Sequence, residues 1–197
     1  MKKSKFYLAF MAVMMLLACT AFTACSDDDD ENDAPETVTV MPSVGYSVAY
    51  SEELLSLVDI KVTYWDQDGN QAEAVLDESN TVPTTSDTGE TIVTWAAAFD
   101  LDADRSQKVG YSVSYTAKPD LESKLESIEG EAITVTSGHG YTYVIVDGDG
   151  NEISYHPLNI TATTRTFEKS RLMEFLTNNR AYSWEAEYDA AAKRFVE

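Results

Sequence analysis

Residues 44–50 read VGYSVAY, and residues 109–115 read VGYSVSY. In the first, Val44, Tyr46, Val48 and Tyr50 fall on one side and Gly45, Ser47 and Ala49 on the other. The second repeats the pattern with Val109, Tyr111, Val113 and Tyr115. A period of two, carried by β-branched and aromatic residues, predicts half-buried antiparallel strands. The two segments match at six of seven positions, and each is followed later by a D-x-D-G-N turn. The gaps from first Val to first Asp are unequal, 22 and 38 residues. The match therefore leaves two readings open: two β-units of similar design, 37–116 and 117–197, or a coincidence of short strands.

The same alternation runs through the rest of the chain. DIKVTYW (59–65) sets Ile60, Val62 and Tyr64 against Lys61, Thr63 and Trp65. ETIVTWAAAF (90–99) puts Val93, Trp95, Ala97 and Phe99 together. AITVT, GYTYVIV and EISYHPLNITAT follow. DQDGN (66–70) and DGDGN (147–151) sit between strand-like runs and suit tight hairpins. NTVPTTSDTGE (80–90) reads as a polar loop. AKPDLESKLESIEGE (117–131) reads as a short acidic helix or an irregular crossover.

Residues 167–179, FEKSRLMEFLTNN, place Phe167, Leu172, Phe175 and Leu176 at helical spacing and predict the one helix whose pattern is decisive. In the last segment Tyr182, Trp184, Ala186 and Tyr188 alternate with polar residues. That predicts a strand, a turn near 189–192 and a final strand, although its alanines favour helix. Strands with one apolar face must pair those faces. The expectation is a mainly β fold: an antiparallel β-sandwich of the immunoglobulin or fibronectin kind over 37–197, with one α-helix in its C-terminal half.

The chain opens with Lys2, Lys3 and Lys5, an apolar run over 6–18, and small residues before Cys25. This is the plan of a secretory signal, and thirteen apolar residues are too few for a spanning helix, which needs about 20. Seven acids follow between Asp27 and Glu36. Their mutual repulsion predicts an extended, disordered tether over 25–36. Removal of 1–24 takes away three lysines and no acid, so the formal charge moves from −20 to −23. Such a charge disfavours nucleic acid and anionic lipid surfaces.

FTAC, ending at Cys25, resembles the lipobox of bacterial lipoproteins, and CSDDDD resembles the surface-export signal of Bacteroidota-type surface lipoproteins. Phe22 stands where that box more often has Leu, and LLAC, ending at Cys19, is a competing box; the acids directly after Cys25 favour Cys25. The resemblance covers only the first thirty or so residues. It implies acylation of Cys25 and a lipid anchor in the outer membrane. It also implies a domain facing the extracellular side, commonly for glycan capture or adhesion. Acylation of Cys25 leaves the mature chain without a free thiol or disulfide, so its core alone holds it together.

Catalytic patterns are sparse. His139, in SGHGY, reads as a loop residue, and His156 precedes Pro157 at a strand bend. Ser137 and Ser154 are the nearby hydroxyls, but there is no G-x-S-x-G elbow, P-loop or dinucleotide fingerprint. Two distant histidines make no zinc site. The D-x-D-G-N segments and DLDADR (100–105) lack the Gly and Glu positions of an EF-hand loop. Asp100, Asp102 and Asp104 remain as a weak calcium loop; no other cofactor is expected. Trp65 shares a face with Lys61 and Thr63 beside a turn, which makes it the candidate exposed ring for a ligand. The expected function is a non-catalytic, glycan- or protein-binding surface module. The alternatives are a structural part of an outer-membrane complex and, third, a polysaccharide hydrolase with paired carboxylates.

Overall fold

Among the described residues two antiparallel sheets, of six and five strands, pack face to face as a sandwich, with three short helices at their margins. The computed structural model describes residues 39–85, 89–178 and 182–197. The expected signal and tether, with Cys25, lie outside them. Val40–Glu197 form one compact unit.

The six-stranded sheet contains β1 (Val40–Ser51), β4 (Val82–Thr85), β5 (Thr91–Asp100), β7 (Ala132–Asp147), β8 (Glu152–His156) and β9 (Thr161–Glu168). Its order is β4-β5-β1-β7, and β7 is then shared: its first half pairs β9 and its last residues pair β8. The five-stranded sheet runs β11 (Arg194–Val196), β10 (Tyr182–Asp189), β6 (Gln107–Ala117), β2 (Val58–Trp65), β3 (Gln71–Val75).

The two VGYSV segments are the central strands of opposite sheets. Val44, Tyr46, Val48 and Tyr50 on β1, and Val109, Tyr111, Val113 and Tyr115 on β6, are all buried. Their rings meet across the sandwich: Tyr46 and Tyr111 at 5.5 Å, Tyr50 and Tyr115 edge-on at 5.9 Å. Each such aromatic pair adds about 0.5–1.5 kcal/mol beyond area burial. On one flank Tyr64 of β2 stacks on Phe99 of β5 at 5.8 Å.

The element order repeats around these strands. β1 is followed by helix α1 (Glu52–Leu57), then by hairpin β2–β3 in the other sheet, and β5 returns beside β1. β6 is followed by helix α2 (Leu121–Ser127), then by hairpin β7–β8 in the other sheet, and β10 returns beside β6. Both D-x-D-G-N turns close alike. Asp66 Oδ1 accepts the Asp68 and Asn70 amides, and Asp147 Oδ1 accepts those of Asp149 and Asn151, all at 2.8–3.0 Å. The unequal gap in the sequence comes from a longer link before β7 and from β7 itself, 16 residues against 8 in β2. Each sheet takes strands from both halves of the chain, so neither half makes a sheet of its own.

Three expectations are corrected. There are three helices among the described residues, where the sequence predicts one and leaves a second open over 117–131: α2 is that second helix, and α1 is the unforeseen one. α1 is a six-residue turn too short to show a period, and only its burial of Leu54 and Leu57 explains it. α2 buries Leu121 and Leu125 one turn apart. The predicted C-terminal helix is α3 (Lys169–Thr177), with Leu172 and Leu176 fully buried; Phe167 is not in it but lies one residue before the end of β9, against Phe175 at 5.3 Å. Second, part of the polar loop over 80–90 is the edge strand β4, whose side chains are all exposed and so carry no alternation. Third, SGHGY is not a loop but the middle of β7.

Candidate functional site

The flank of the sandwich between β7 and β10 is built from rings. Alternation on β7 sends Ser137, His139, Tyr141 and Tyr143 inward, and alternation on β10 sends Tyr182 and Trp184 to meet them. His139 stacks on Tyr182 at 4.5 Å and 9°, and Tyr141 on Trp184 at 3.6 Å and 10°. Tyr141 also stacks on His156 at the end of β8, at 4.6 Å. Glu197 ties the ladder together, accepting from Tyr141 Oη at 2.9 Å and Trp184 Nε1 at 3.4 Å. Burial, with the Glu197 carboxylate second, pushes the Tyr141 phenol up to about 12.

Beyond Tyr182 the two sheets part and leave a cleft of about 570 Å³. β9 floors it: Thr163 sits opposite Ser137 and Arg165 opposite Val135, so both point to the face that carries His139. Phe175 of α3 and Tyr115 of β6 close it from the other side. β9 and α3 belong to the insertion before β10, and the first half has only β4 in that place.

Gly138 and Gly140 explain how SGHGY fits a strand. A Cβ on either would lie 2.8 Å from a methyl or methylene carbon of Ile160. Bare backbone there lets the link between β8 and β9 cross the outer face of β7 at close range. That link turns the chain back to form the cleft floor.

His139 is held without charge. Tyr50 Oη and its Nε2 share a hydrogen bond of 2.7 Å, and Tyr115 Oη donates to Tyr50 Oη at 3.4 Å. Burial lowers the imidazole from 6.5 to about 4 and raises the Tyr50 phenol well above its ordinary value. A buried, neutral imidazole whose Nε2 is already engaged by Tyr50 is poorly placed as a general base for Ser137, which lines the same cleft without a hydrogen bond to it.

The sequence-derived candidates lie elsewhere. Trp65 is half-buried on the outer face of the five-stranded sheet, with Lys108 Nζ 5.7 Å from its ring centre. The hollow beside it holds only about 30 Å³. Asp100 ends β5. Asp102 Oδ1 accepts the Asp104 amide, and Asp104 pairs with Lys193 at 3.5 Å. The three are not brought together. Among the described residues, no group of three His, Cys, Asp or Glu side chains is placed to hold a metal ion. The sequence reading missed Thr163, Arg165 and Tyr182. The available signal was parity: AITVT, SGHGY and TYVIV form one unbroken strand, with Ser137, His139 and Tyr141 in phase.

No protein-family model matches the chain, and no curated protein matches it either. No helix among the described residues is long and apolar enough to cross a membrane.

Proposed function

We propose that the chain is a lipid-anchored, outer-membrane surface protein whose sandwich is a non-catalytic binding module for a glycan or protein ligand. The ligand sits in the cleft between β7, β9 and β10. The immunoglobulin- or fibronectin-like assignment of the sandwich belongs to the same proposal, supported by its two antiparallel sheets. Anchoring and surface display rest on the sequence around Cys25 and its acidic tract.

The observation that carries the reading is the lining of the cleft. Tyr182, stacked by one face on His139 and still 36% exposed, gives a flat ring at the cleft wall, the edges of Tyr141 and His156 continue that wall, and Ser137, Thr163 and Asn159 add short polar groups beside it. An apolar wall with a few convergent polar groups is the usual composition of a ligand site. The described lining contains no carboxylate, so it offers nothing to a paired-acid hydrolysis.

The test is a binding screen of the purified full chain against polysaccharides, mucin glycans and surface proteins. Saturable binding that is lost in Tyr182→Ala and retained in Trp65→Ala is expected. Loss in Trp65→Ala alone would move the site to the outer face of the other sheet. Failure to bind any ligand, with co-purification of an outer-membrane partner, would favour the scaffold role instead.

A further inference from the structure

Charge in the cleft runs against the rest of the molecule. Of 197 residues 34 are Asp or Glu, yet none of the eleven described residues that line the cleft is. The described lining instead contains Arg165, whose guanidinium is permanently charged, together with His156 and the buried, neutral His139.

Arg165 is also without a partner. Lys61, Lys118, Lys124, Arg171 and Lys193 each pair with an acid. Arg105 bonds Gln107 and the Gln67 carbonyl, Lys169 bonds the Ile128 carbonyl, and Lys108 lies over Trp65. Among the described cations that leaves Arg165 and Arg194, and Arg194 is on the edge strand β11. An exposed arginine in so acidic a chain would ordinarily find a carboxylate. At Arg165 the register places Val135 beside it and the hydroxyls of Ser137 and Thr163 two positions along.

A guanidinium fork matches a carboxylate bidentately, short hydroxyls match sugar hydroxyls, and a flat ring wall matches a pyranose face. We propose that the cleft takes a carboxylated sugar, with its carboxylate on Arg165, its hydroxyls on Ser137 and Thr163, and its ring against Tyr182. This rests on the binding-module reading and supplies its ligand class. No acid is among the described lining residues, and the nearby Glu197 carboxylate is engaged by Tyr141 and Trp184, so the cleft admits an anion more readily than the acidic surface around it.

The experiment compares the full chain with Arg165→Gln, Arg165→Lys and Arg194→Gln variants by titration calorimetry. The probes are polygalacturonate oligomers and sialyllactose, with dextran oligomers and lactose as their neutral counterparts. At least tenfold tighter binding of one or both acidic probes is expected, weakening with added salt. Arg165→Gln should lose at least tenfold, Arg165→Lys should lose part of that, and Arg194→Gln should bind normally. Which acidic probe binds tells uronic from sialic acid. Equal binding of neutral and acidic probes, or undiminished binding by Arg165→Gln, overturns the carboxylate assignment and leaves the binding module standing. If no probe binds, yet other glycans or proteins bind through Tyr182, this inference alone falls. If nothing binds at all, both fall. Arg165 is exposed and unpaired, so thermal melts of the variants should match the parent and separate binding loss from unfolding.

Discussion

Tyr46 and Tyr111 occupy the same position of the two VGYSV segments, and their rings face each other across the sandwich at 5.5 Å. Their hydroxyls are not equivalent. Tyr46 Oη accepts the Gly110 amide at 2.9 Å and donates to the Trp65 carbonyl at 3.3 Å, which ties β1 to both β6 and β2. Tyr111 Oη is buried near Tyr182 and the Gly140 backbone without meeting either at full hydrogen-bond geometry.

Phenylalanine should therefore act differently at the two sites. Tyr46→Phe leaves the buried Gly110 amide without its acceptor and should cost about 1–3 kcal/mol. Tyr111→Phe removes a hydroxyl that has no partner and should be neutral or slightly stabilising. Urea unfolding followed by tryptophan fluorescence decides the matter; equal losses would mean that the apparent inequivalence is not real.

Gly110 is a second point of asymmetry. Its φ is +142°, where side chains are rarely found, and a Cβ there would lie 2.3 Å from the Trp184 carbonyl oxygen. Strain and a backbone clash act together, so Gly110→Ala should destabilise by about 3 kcal/mol or more and loosen the β6–β10 pairing. Hydrogen exchange should show the loss of protection concentrated on β10. A variant as stable as the parent would show that the close approach of β10 is dispensable.

His139 makes stability depend on pH. Its folded pKa, about 4, lies below its ordinary 6.5 because burial disfavours the cation. Between those values the unfolded chain takes up a proton that the folded chain refuses. The stabilisation is thus complete above pH 6.5 and drains away as the pH falls toward 4, by a total on the order of 3 kcal/mol. Carboxylates titrate in the same acid range, so the measurement is a comparison. The stability of His139→Gln, plotted from pH 7 to 4, should fall less steeply than that of the parent. Parallel curves would show that His139 keeps an ordinary affinity for protons.

Much of the fold is legible in the residues. Parity alone places Val44, Tyr46, Val48 and Tyr50 inside, and does the same for Val109 to Tyr115. The turn over 189–192 and its flanking strands follow from the alternation of Tyr182, Trp184, Ala186 and Tyr188, against the helix preference of alanine. Where the reading fails, the local signal is absent or masked. β4 exposes every side chain, so no apolar period marks it. SGHGY looks like a loop because its glycines are chosen for what crosses above them, Ile160, some twenty residues further along the chain.

The sequence by itself determines that this is an acidic, two-sheet β protein, with the inward residues of its main strands named by parity and its hairpins by Asp-Gly turns. These are local properties, set by neighbours two to four residues apart. Tertiary structure alone decides that the two VGYSV strands lie in opposite sheets and face each other. It alone puts His139 beside Tyr50, 89 residues away. It alone brings Arg165 into a cleft between β7, β9, α3 and β10 whose described lining contains no acid. Such encounters depend on strand order and register, which arise from burying the apolar faces of the whole domain together, and no short stretch of sequence encodes that order.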